Sequence, residues 1–348
     1  MDIFTMPCNI FSAGYICVDE PKTDYYRKTL TWNKRNINHT MVTEFILLGF
    51  SGIIDHQFFL FPIFLCIYMI TVSGNLSIII TYKLSPSLHT PMYFFLANFS
   101  ILEIMYVSST VPKMLSSLLS KCKVISFSGC AVQMYCVLLF GGTECYMLAA
   151  MAYDRYNAIC HPLMYTQIMR EIVCIQHIVG SYVIGAVNAL IHTVLTFSLP
   201  FCGSNEIDHF FCDVPPVLEL SCQDIWVNEL LIFVIAGCVI FGSFIVTMIS
   251  YTEIVSNILK LSSTLGKKTF ETCSSHLIVV AIFYGSGFFM YFRPRSSYRV
   301  GQNSVVSLMY TVIAPLLNPF IYSLRNKEVK SNIKMLFLRL RQCSHNNF

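Results

Sequence analysis

Long apolar blocks alternate with short polar segments along most of this chain of 348 residues. The core of a bilayer is about 30 Å thick, so a helix that crosses it needs roughly 20 mostly apolar residues. The blocks predict seven spanning helices, at approximately 58–82, 92–116, 128–153, 173–197, 227–254, 269–292 and 303–324. The pattern therefore predicts an all-α membrane protein, a bundle of seven transmembrane helices.

The composition agrees with this prediction. Hydrophobic residues make up 55% of the chain and charged residues only 12%, whereas soluble domains carry roughly a quarter charged residues. The net charge of +4 is modest, and no dense cluster of Lys and Arg indicates a nucleic-acid partner.

The basic residues predict the orientation, because Lys and Arg are concentrated in the cytoplasmic loops of membrane proteins. With the amino terminus outside, the cytoplasmic segments hold twelve of them: Lys83, Arg155, Arg170, Lys260, Lys267, Lys268, Arg325, Lys327, Lys330, Lys334, Arg339 and Arg341. The opposite loops hold five: Lys121, Lys123, Arg293, Arg295 and Arg299. We therefore expect an extracellular amino terminus in a multi-pass protein of the plasma membrane. Asn38 begins an Asn-His-Thr glycosylation sequon that this orientation exposes.

The two ends of the chain differ from the apolar bundle at 58–324. Residues 1–57 form the expected extracellular tail, and 1–37 are polar without apolar periodicity, so we expect them to be disordered. Residues 325–348 form the cytoplasmic tail. Within it, the basic stretch 326–341 has apolar residues at helical spacing, which predicts a short amphipathic helix on the membrane surface.

Four cysteines fall on the extracellular side, where disulfides can form. Cys202, Cys212 and Cys222 lie in the loop 198–226, and Cys130 begins the third span. Four cysteines allow three pairings, and their spacing does not choose among them. Such bridges would stabilise the loop, fix it as a lid over the bundle, or do both. Three further residues of the loop could suggest a metal site, although loop acids are usually solvated: Asp208, His209 and Asp213.

Two acids interrupt apolar spans, Glu103 in the second and Glu144 in the third. A lipid-facing acid is costly, so both must face other helices. They could share a proton, or hold a sodium ion together with Asn75 and Asn318. A structural hydrogen-bond network between helices is the alternative. Apart from this ion, the sequence indicates no cofactor.

Two motifs stand at the cytoplasmic ends of spans. Residues 151–160 read Met-Ala-Tyr-Asp-Arg-Tyr-Asn-Ala-Ile-Cys, and residues 315–322 read Pro-Leu-Leu-Asn-Pro-Phe-Ile-Tyr. They resemble the Asp-Arg-Tyr and Asn-Pro-x-x-Tyr elements of rhodopsin-like (class A) G-protein-coupled receptors. The stretches 91–100 and 268–276 and the three-cysteine loop narrow the resemblance to odorant (olfactory) receptors, over residues 38–341.

This resemblance implies a function in olfaction and sensory transduction. An odorant receptor binds small, mostly apolar volatile molecules within its helix bundle and activates a stimulatory heterotrimeric G protein, which raises cyclic AMP. It also implies that Cys130 pairs with Cys212 and Cys202 with Cys222. In the implied switch, Asp154 holds Arg155 by charge-assisted hydrogen bonds until activation frees the guanidinium for the G protein. The matching switch residues are Asp154, Arg155, Tyr156, Tyr251, Lys268, His276, Asn318, Pro319 and Tyr322.

The resemblance places the odorant between the third, fifth, sixth and seventh helices, beneath the disulfide-tied loop. The residues that map to this cavity are Met134, Val137, Leu138, Gly141, Gly142, Ile235, Val239, Tyr284, Phe288, Tyr291, Leu308 and Thr311. They include no Asp or Lys, which disfavours a charged ligand, and their few hydroxyls could orient one polar group. Helix packing is the alternative role for each of them.

Other classes of protein fit less well. The chain shows no paired nucleophile and base, phosphate-binding glycine loop or metal signature that would indicate an enzyme. A secondary transporter would more often show an inverted repeat and broken helices. Two alternatives stay open: a non-odorant rhodopsin-like receptor for a lipid or peptide, and a non-functional receptor copy.

Overall fold

The computed structural model describes residues 42–49, 57–120, 123–202, 204–260, 263–291 and 307–325. The predicted glycosylation site at Asn38, the tail 1–37 and the amphipathic stretch 326–341 lie outside these residues. The long helices are α1 (Gln57–Leu84), α2 (Pro91–Leu119), α3 (Phe127–Cys160), α4 (Glu171–Phe197), α5 (Trp226–Lys260), α6 (Ser263–Tyr291) and α7, which joins a π-helical turn (Met309–Ile313) to an α-helix (Ala314–Arg325). Shorter helices are the 3₁₀ turn Pro86–Leu88, Tyr165–Ile168 and Val214–Leu218.

Within the described residues, five helices are long and apolar enough to cross a membrane. They are α1 to α5, and shorter apolar stretches follow in α6 and α7, at His276–Phe288 and Met309–Ile321. Many large apolar side chains point outward from the helices, including Phe59, which is 70% exposed, and Ile249, which is 60% exposed. In water such a surface would be costly, whereas in lipid it is the expected exterior. The fold is therefore that of a helical membrane protein.

Several helices are longer than the apolar blocks that predict them. α3 continues to Cys160 and α5 to Lys260, and α6 begins at Ser263. Hydropathy detects only the part of a helix that lies within the hydrocarbon core of the bilayer. These helices continue beyond that core because no helix-breaking residue ends them at the edge of the bilayer. At the other end of α3 the prediction is close, because the Ser126 side chain accepts a hydrogen bond from the Gly129 amide and caps the helix.

α3 lies at the centre of the bundle, packed against α2, α4 and α5, while α1 packs against α2 and α7. The close approach of α3 and α4 depends on small residues. A Cβ atom added to Gly142 of α3 would lie 3.3 Å from the Gly185 Cα atom of α4. A bundle in lipid gains little from burying apolar surface, so close packing of this kind is a main source of helix association.

A three-stranded sheet covers one end of the bundle. Its strands β1 (Glu44–Leu47), β2 (Val124–Ser126) and β3 (Glu206–Ile207) lie in the order β2-β1-β3. β1 is antiparallel to β2 and parallel to β3. The ring of Phe45 packs against Phe127, Phe197 and Phe201 beneath the sheet. The sheet thus attaches the loop between α4 and α5 to the segment that precedes α1.

We expect Gly185→Ala to destabilise the protein by about 1–3 kcal/mol, as overpacked sites do. The new Cβ would lie 2.7 Å from the carbonyl oxygen of Leu139 and would also clash with the Thr143 hydroxyl. The control is Gly180→Ala on the same helix, where no heavy atom lies within 4 Å of the added Cβ. Both changes gain the same helix propensity. The measurement is the apparent melting temperature of the detergent-purified protein, and equal values for the two variants would contradict the close contact.

Candidate functional site

A cavity of about 80 Å³ lies within the bundle. By the same measure one water molecule needs roughly 10–15 Å³, so the space suits a small organic molecule. Helices α2 to α7 and the short helix Val214–Leu218 form its wall. The lining residues are Tyr106, Val137, Leu138, Gly141, Gly142, Cys145, Asn188, His192, Val214, Ile232, Ala236, Val239, Ile240, Phe283, Tyr284, Gly287 and Tyr310.

Half of the residues predicted to contact a ligand lie in this wall: Val137, Leu138, Gly141, Gly142, Val239 and Tyr284. Met134 is buried in the core beneath the loop instead, and Thr311 donates a hydrogen bond to the Ser307 carbonyl at 2.6 Å. Phe288 packs on Phe241 and Phe244. Ile235 and Leu308 are not among the lining residues, and the Tyr291 side chain lies outside the described part of the chain.

The fourth helix contributes lining residues that the sequence analysis missed, Asn188 and His192. Two polar side chains four residues apart lie on one face of a helix. In an apolar span, that spacing could have indicated that this face of the fourth helix lines the site. The His192 ring places Nδ1 2.8 Å from the Asn188 carbonyl and Nε2 3.3 Å from the Ile232 carbonyl. It therefore joins α4 to α5 beside the cavity. Tyr106, Val214 and Tyr310 were also missed.

The segment 198–222 between α4 and α5, here called the lid, is held by two disulfides. Cys130 is bonded to Cys212 and Cys202 to Cys222, with Cα atoms 5.5 Å and 5.7 Å apart. This is the pairing that the resemblance implies. Gln133 extends the attachment, since its Oε1 atom accepts from the Cys212 amide at 3.1 Å and its Nε2 atom donates to the Ser109 carbonyl at 3.0 Å. α2, α3 and the lid are joined at this point.

A second polar contact fastens the lid to α7. His209 Nε2 lies 3.0 Å from the Ser307 hydroxyl, and the Tyr310 hydroxyl donates to Asp213 Oδ2 at 3.3 Å. Asp213 Oδ1 also accepts from the Val214 amide at 2.8 Å. Because Tyr310 and Val214 both line the cavity, the lid and α7 meet where a ligand would lie.

Burial perturbs both titratable groups of this contact. Burial lowers the pKa of His209 to about 3 and raises the pKa of Asp213 to about 6. The described residues contain no group of three or more His, Cys, Asp and Glu side chains that could hold a metal ion. His209 and Asp213 bond to α7 instead.

At the opposite end of α3, Arg155 forms an ion pair with its neighbour in sequence. Arg155 Nη2 donates to Asp154 Oδ2 at 2.6 Å, and the Tyr165 hydroxyl donates to Asp154 Oδ1 at 2.8 Å. Asp154 is buried, which strengthens both bonds. The side chains of Lys268 and Tyr322 lie outside the described residues.

Nearby switch residues pair with one another. The Tyr251 hydroxyl is hydrogen-bonded to His276 Nδ1, and Tyr156 to His161 Nε2 at 3.0 Å. Tyr251 therefore joins α5 to α6. Pro319 of α7 packs against Gly74 of α1, where an added Cβ would lie 3.1 Å from the proline ring.

The two predicted acids lie between helices, Glu103 with 0% and Glu144 with 1% of the residue exposed. Asn318 of α7 donates a hydrogen bond to Glu103 Oε1. Both carboxylate oxygens of Glu144, and Glu103 Oε2, have no hydrogen-bond partner among the described residues. Asn75 is buried but donates to the Thr71 carbonyl of its own helix. Unpartnered carboxylate oxygens that face each other suit one shared positive charge, a proton or a monovalent cation.

Comparisons with known proteins agree with this geometry. The family model described as olfactory receptor matches residues 64–340. Human olfactory receptor 5G3 is 51% identical over 294 residues, which cover 84% of this chain and 94% of that receptor. Human olfactory receptor 5A2 is 49% identical over 88% of this chain and 95% of its own length. Mouse olfactory receptor 5G29 is 49% identical over 84% of this chain. The chain belongs to the olfactory receptor family, which consists of rhodopsin-like G-protein-coupled receptors and not of enzymes.

The pKa values of the lid predict two opposite effects of pH on stability. Folding raises the pKa of Asp213 from 3.8 to about 6, so the folded state binds this proton more tightly and is stabilised as pH falls from 6 toward 4. Folding lowers the pKa of His209 from 6.5 to about 3, so the unfolded state binds that proton and the fold loses stability as pH falls below 6.5. The two effects partly cancel in the native chain.

Replacing one group at a time should separate these effects. In Asp213→Asn only the His209 effect persists, so acidification from pH 7 to pH 5 should lower stability more steeply than in the native chain, by about 1–2 kcal/mol. In His209→Gln acidification should raise stability relative to the native chain. Melting temperatures of the purified receptor at several pH values provide the measurement. Equal pH slopes in all three proteins would contradict the buried state of these groups.

Proposed function

We propose that this chain is an odorant receptor that binds a small, mostly apolar volatile molecule in the cavity beneath the lid. We further propose that it activates a stimulatory heterotrimeric G protein and so raises cyclic AMP. The observation that carries the proposal is the course of α3. In a chain of the olfactory receptor family, this helix lines an apolar cavity at Gly141 and Gly142 and carries the Asp154–Arg155 ion pair near its other end.

The proposed arrangement in the membrane has seven spans, with the amino terminus and the lid outside the cell. The five long apolar helices and the two shorter apolar stretches support this number, and the excess of Lys and Arg on the opposite side supports the orientation. In this arrangement residues 1–57 form an extracellular tail that carries the glycosylation site Asn38, 58–324 form the receptor domain, and 325–348 form a cytoplasmic tail with a surface helix. The site of action is the plasma membrane.

The chemistry of the cavity favours a neutral ligand. Among the described residues, the wall contains no Asp, Glu, Lys or Arg, so these residues offer no permanent counter-charge to an amine or a carboxylate. Burying roughly 200 Å² of a volatile molecule at about 25 cal/mol/Å² contributes about 5 kcal/mol. That corresponds to a Kd of about 0.1 mM, and one or two hydrogen bonds would bring it toward micromolar. Recognition of this strength is weak and broad.

The proposed switch acts through α3 and its neighbours. A ligand shifts a receptor toward activity only if it binds the active state more tightly than the resting state. In the resting state Asp154 and Tyr165 retain Arg155, and the Tyr251–His276 contact holds α5 against α6. On activation α6 moves outward, and the freed guanidinium of Arg155 contacts the G protein.

We also propose that Glu103 and Glu144 share one positive charge, either a proton or a sodium ion. The unpartnered oxygens of both acids support this, and the Asn318 amide donates to Glu103. Asn75, the other proposed ligand of a sodium ion, donates to the Thr71 carbonyl of its own helix. If the charge is sodium, the ion would stabilise the arrangement of α2, α3 and α7 that it bridges.

Cyclic AMP in cells that express the intact chain provides the test of function. We expect a dose-dependent rise with some members of a volatile panel, reduced by at least about 10-fold in Arg155→Ala, since a charge-assisted contact is lost. Lys83→Ala is the matched control, because Lys83 is an exposed cation that takes no part in the Asp154–Arg155 ion pair. Silence from a receptor shown to be at the surface would instead favour a lipid or peptide receptor, or a non-functional copy.

Replacing sodium with choline in the assay medium separates the two forms of the acid pair. A bound sodium ion predicts that this exchange increases agonist potency several-fold in the native chain and has no effect in Glu144→Gln. A shared proton predicts no sodium effect, together with a pH dependence of potency that Glu144→Gln removes. Potency that responds to neither ion nor pH would leave only a structural role for the two acids.

A further inference from the structure

Asn188 is a polar side chain of the cavity wall whose oxygen has no hydrogen-bond partner among the described residues. It is 8% exposed and lies in the middle of α4, an apolar helix. Its Oδ1 atom is buried without a hydrogen bond among the described residues. The His192 ring faces the backbone carbonyl of Asn188 and not its side chain. Among the described residues Oδ1 therefore has no hydrogen-bonding role in the bundle, and a buried unsatisfied oxygen is unfavourable.

Other polar side chains of the wall are already engaged. The Tyr284 hydroxyl donates to the Cys145 carbonyl at 3.1 Å, and the Tyr310 hydroxyl donates to Asp213. Both nitrogens of the His192 ring face carbonyl oxygens. These contacts leave the Asn188 amide as a group whose hydrogen-bonding capacity is available to a ligand.

The amide lies where α4 packs against the glycine face of α3, at the cavity wall. A Cβ atom at Gly142 would lie 3.5 Å from Asn188 Nδ2, and Gly142 is itself a lining residue. The terminal torsion of asparagine is broad, so the amide can turn toward a ligand at low cost. An apolar molecule lying along Val239 and Ile240 could thus bring one polar group to Asn188.

We propose that Asn188 determines the ligand class of this cavity, and that the preferred ligands are alcohols with an apolar body. This inference rests on the proposed function and names its ligand. A hydroxyl group donates to Oδ1 and accepts from Nδ2, so it satisfies whichever end of the amide faces it. A ketone or aldehyde only accepts and leaves Oδ1 unpaired, and a hydrocarbon satisfies neither atom.

Matched sets of volatile molecules test this inference, because within each set only the polar group changes. The sets are cyclohexanol, cyclohexanone and cyclohexane; menthol, menthone and menthane; and octanol, octanal and octane. In the native chain we expect the alcohol of a responsive set to be about 10- to 100-fold more potent than its carbonyl partner. In Asn188→Leu, which is similar in size but has no amide, the alcohol should lose that advantage while the hydrocarbon is unaffected or improved.

The matched control is Asn98→Leu. Asn98 donates only to the Phe94 carbonyl of its own helix, at 2.8 Å, and does not line the cavity, so this change should leave the preference for alcohols intact. Asn188→Ser, which restores a small hydroxyl, should recover part of the preference. These variants distinguish loss of the amide from general damage to α4.

Two readouts separate this inference from the proposed function. Cyclic AMP reports signalling, while the rise in melting temperature of the purified receptor reports binding alone. Preferential stabilisation by alcohols without cyclic AMP supports the inference and contradicts the proposed coupling. Equal potency of alcohol, ketone and hydrocarbon in the native chain overturns the inference and leaves the receptor function standing. The inference is also overturned if alcohols have no effect in either readout on a native receptor shown to be at the surface. Both of these outcomes are measured on the native chain, so they do not depend on whether Asn188→Leu folds.

Discussion

Hydrocarbon offers no hydrogen bonds, so each polar group inside this bundle depends on another part of the protein. Most of the contacts between helices described above follow from this constraint. His192 spans α4 and α5, Tyr284 joins α6 to α3, and Asn318 joins α7 to α2 through Glu103. Apolar side chains could pack in several registers, whereas each of these bonds forms in only one. The polar groups therefore fix which faces of the helices meet.

α3 connects the parts that these bonds position. Cys130 attaches its first turn to the lid, and Arg155 lies near its other end. At 1.5 Å per residue, these two residues are about 37 Å apart along the helix axis. The cavity and Glu144 lie between them. A helix of this length that is buried on most sides cannot bend locally without disturbing α2, α4 and α5. We therefore expect occupation of the cavity and release of the ion pair to be linked as one movement of packed helices.

The sequence predicted the helical core well because the bilayer imposes a simple rule on composition. The apolar blocks locate α1 to α5 within a few residues, and the burial of Glu103 and Glu144 follows from the cost of an acid in lipid. Outside the hydrocarbon core, the bilayer no longer requires apolar residues. The extensions of α3 and α5, and the strands at 44–47, 124–126 and 206–207, were therefore not predicted.

The cavity shows a second limit of the sequence. Val137 lines it while Met134, three residues earlier on the same face, lies in the core beneath the lid, because depth along the helix and not only its face decides the contact. Asn188 and His192 were missed because the family resemblance places the ligand between the third, fifth, sixth and seventh helices, and these two residues belong to the fourth. Likewise the cysteine spacing left three pairings open, and only the positions of the backbone bring Cys130 next to Cys212.

The π-helical turn Met309–Ile313 determines which way the following residues of α7 face. A turn of this kind accommodates one residue more than an α-helical turn. Regular α-helical winding with the same number of residues would rotate the following segment by about 100° about the helix axis. Asn318 would then face away from Glu103, although every contacting residue would still be present in the sequence. The contact between Glu103 and Asn318 thus depends on the wide winding of this turn, so a change that imposed regular α-helical winding there would separate them as effectively as replacing Asn318 itself.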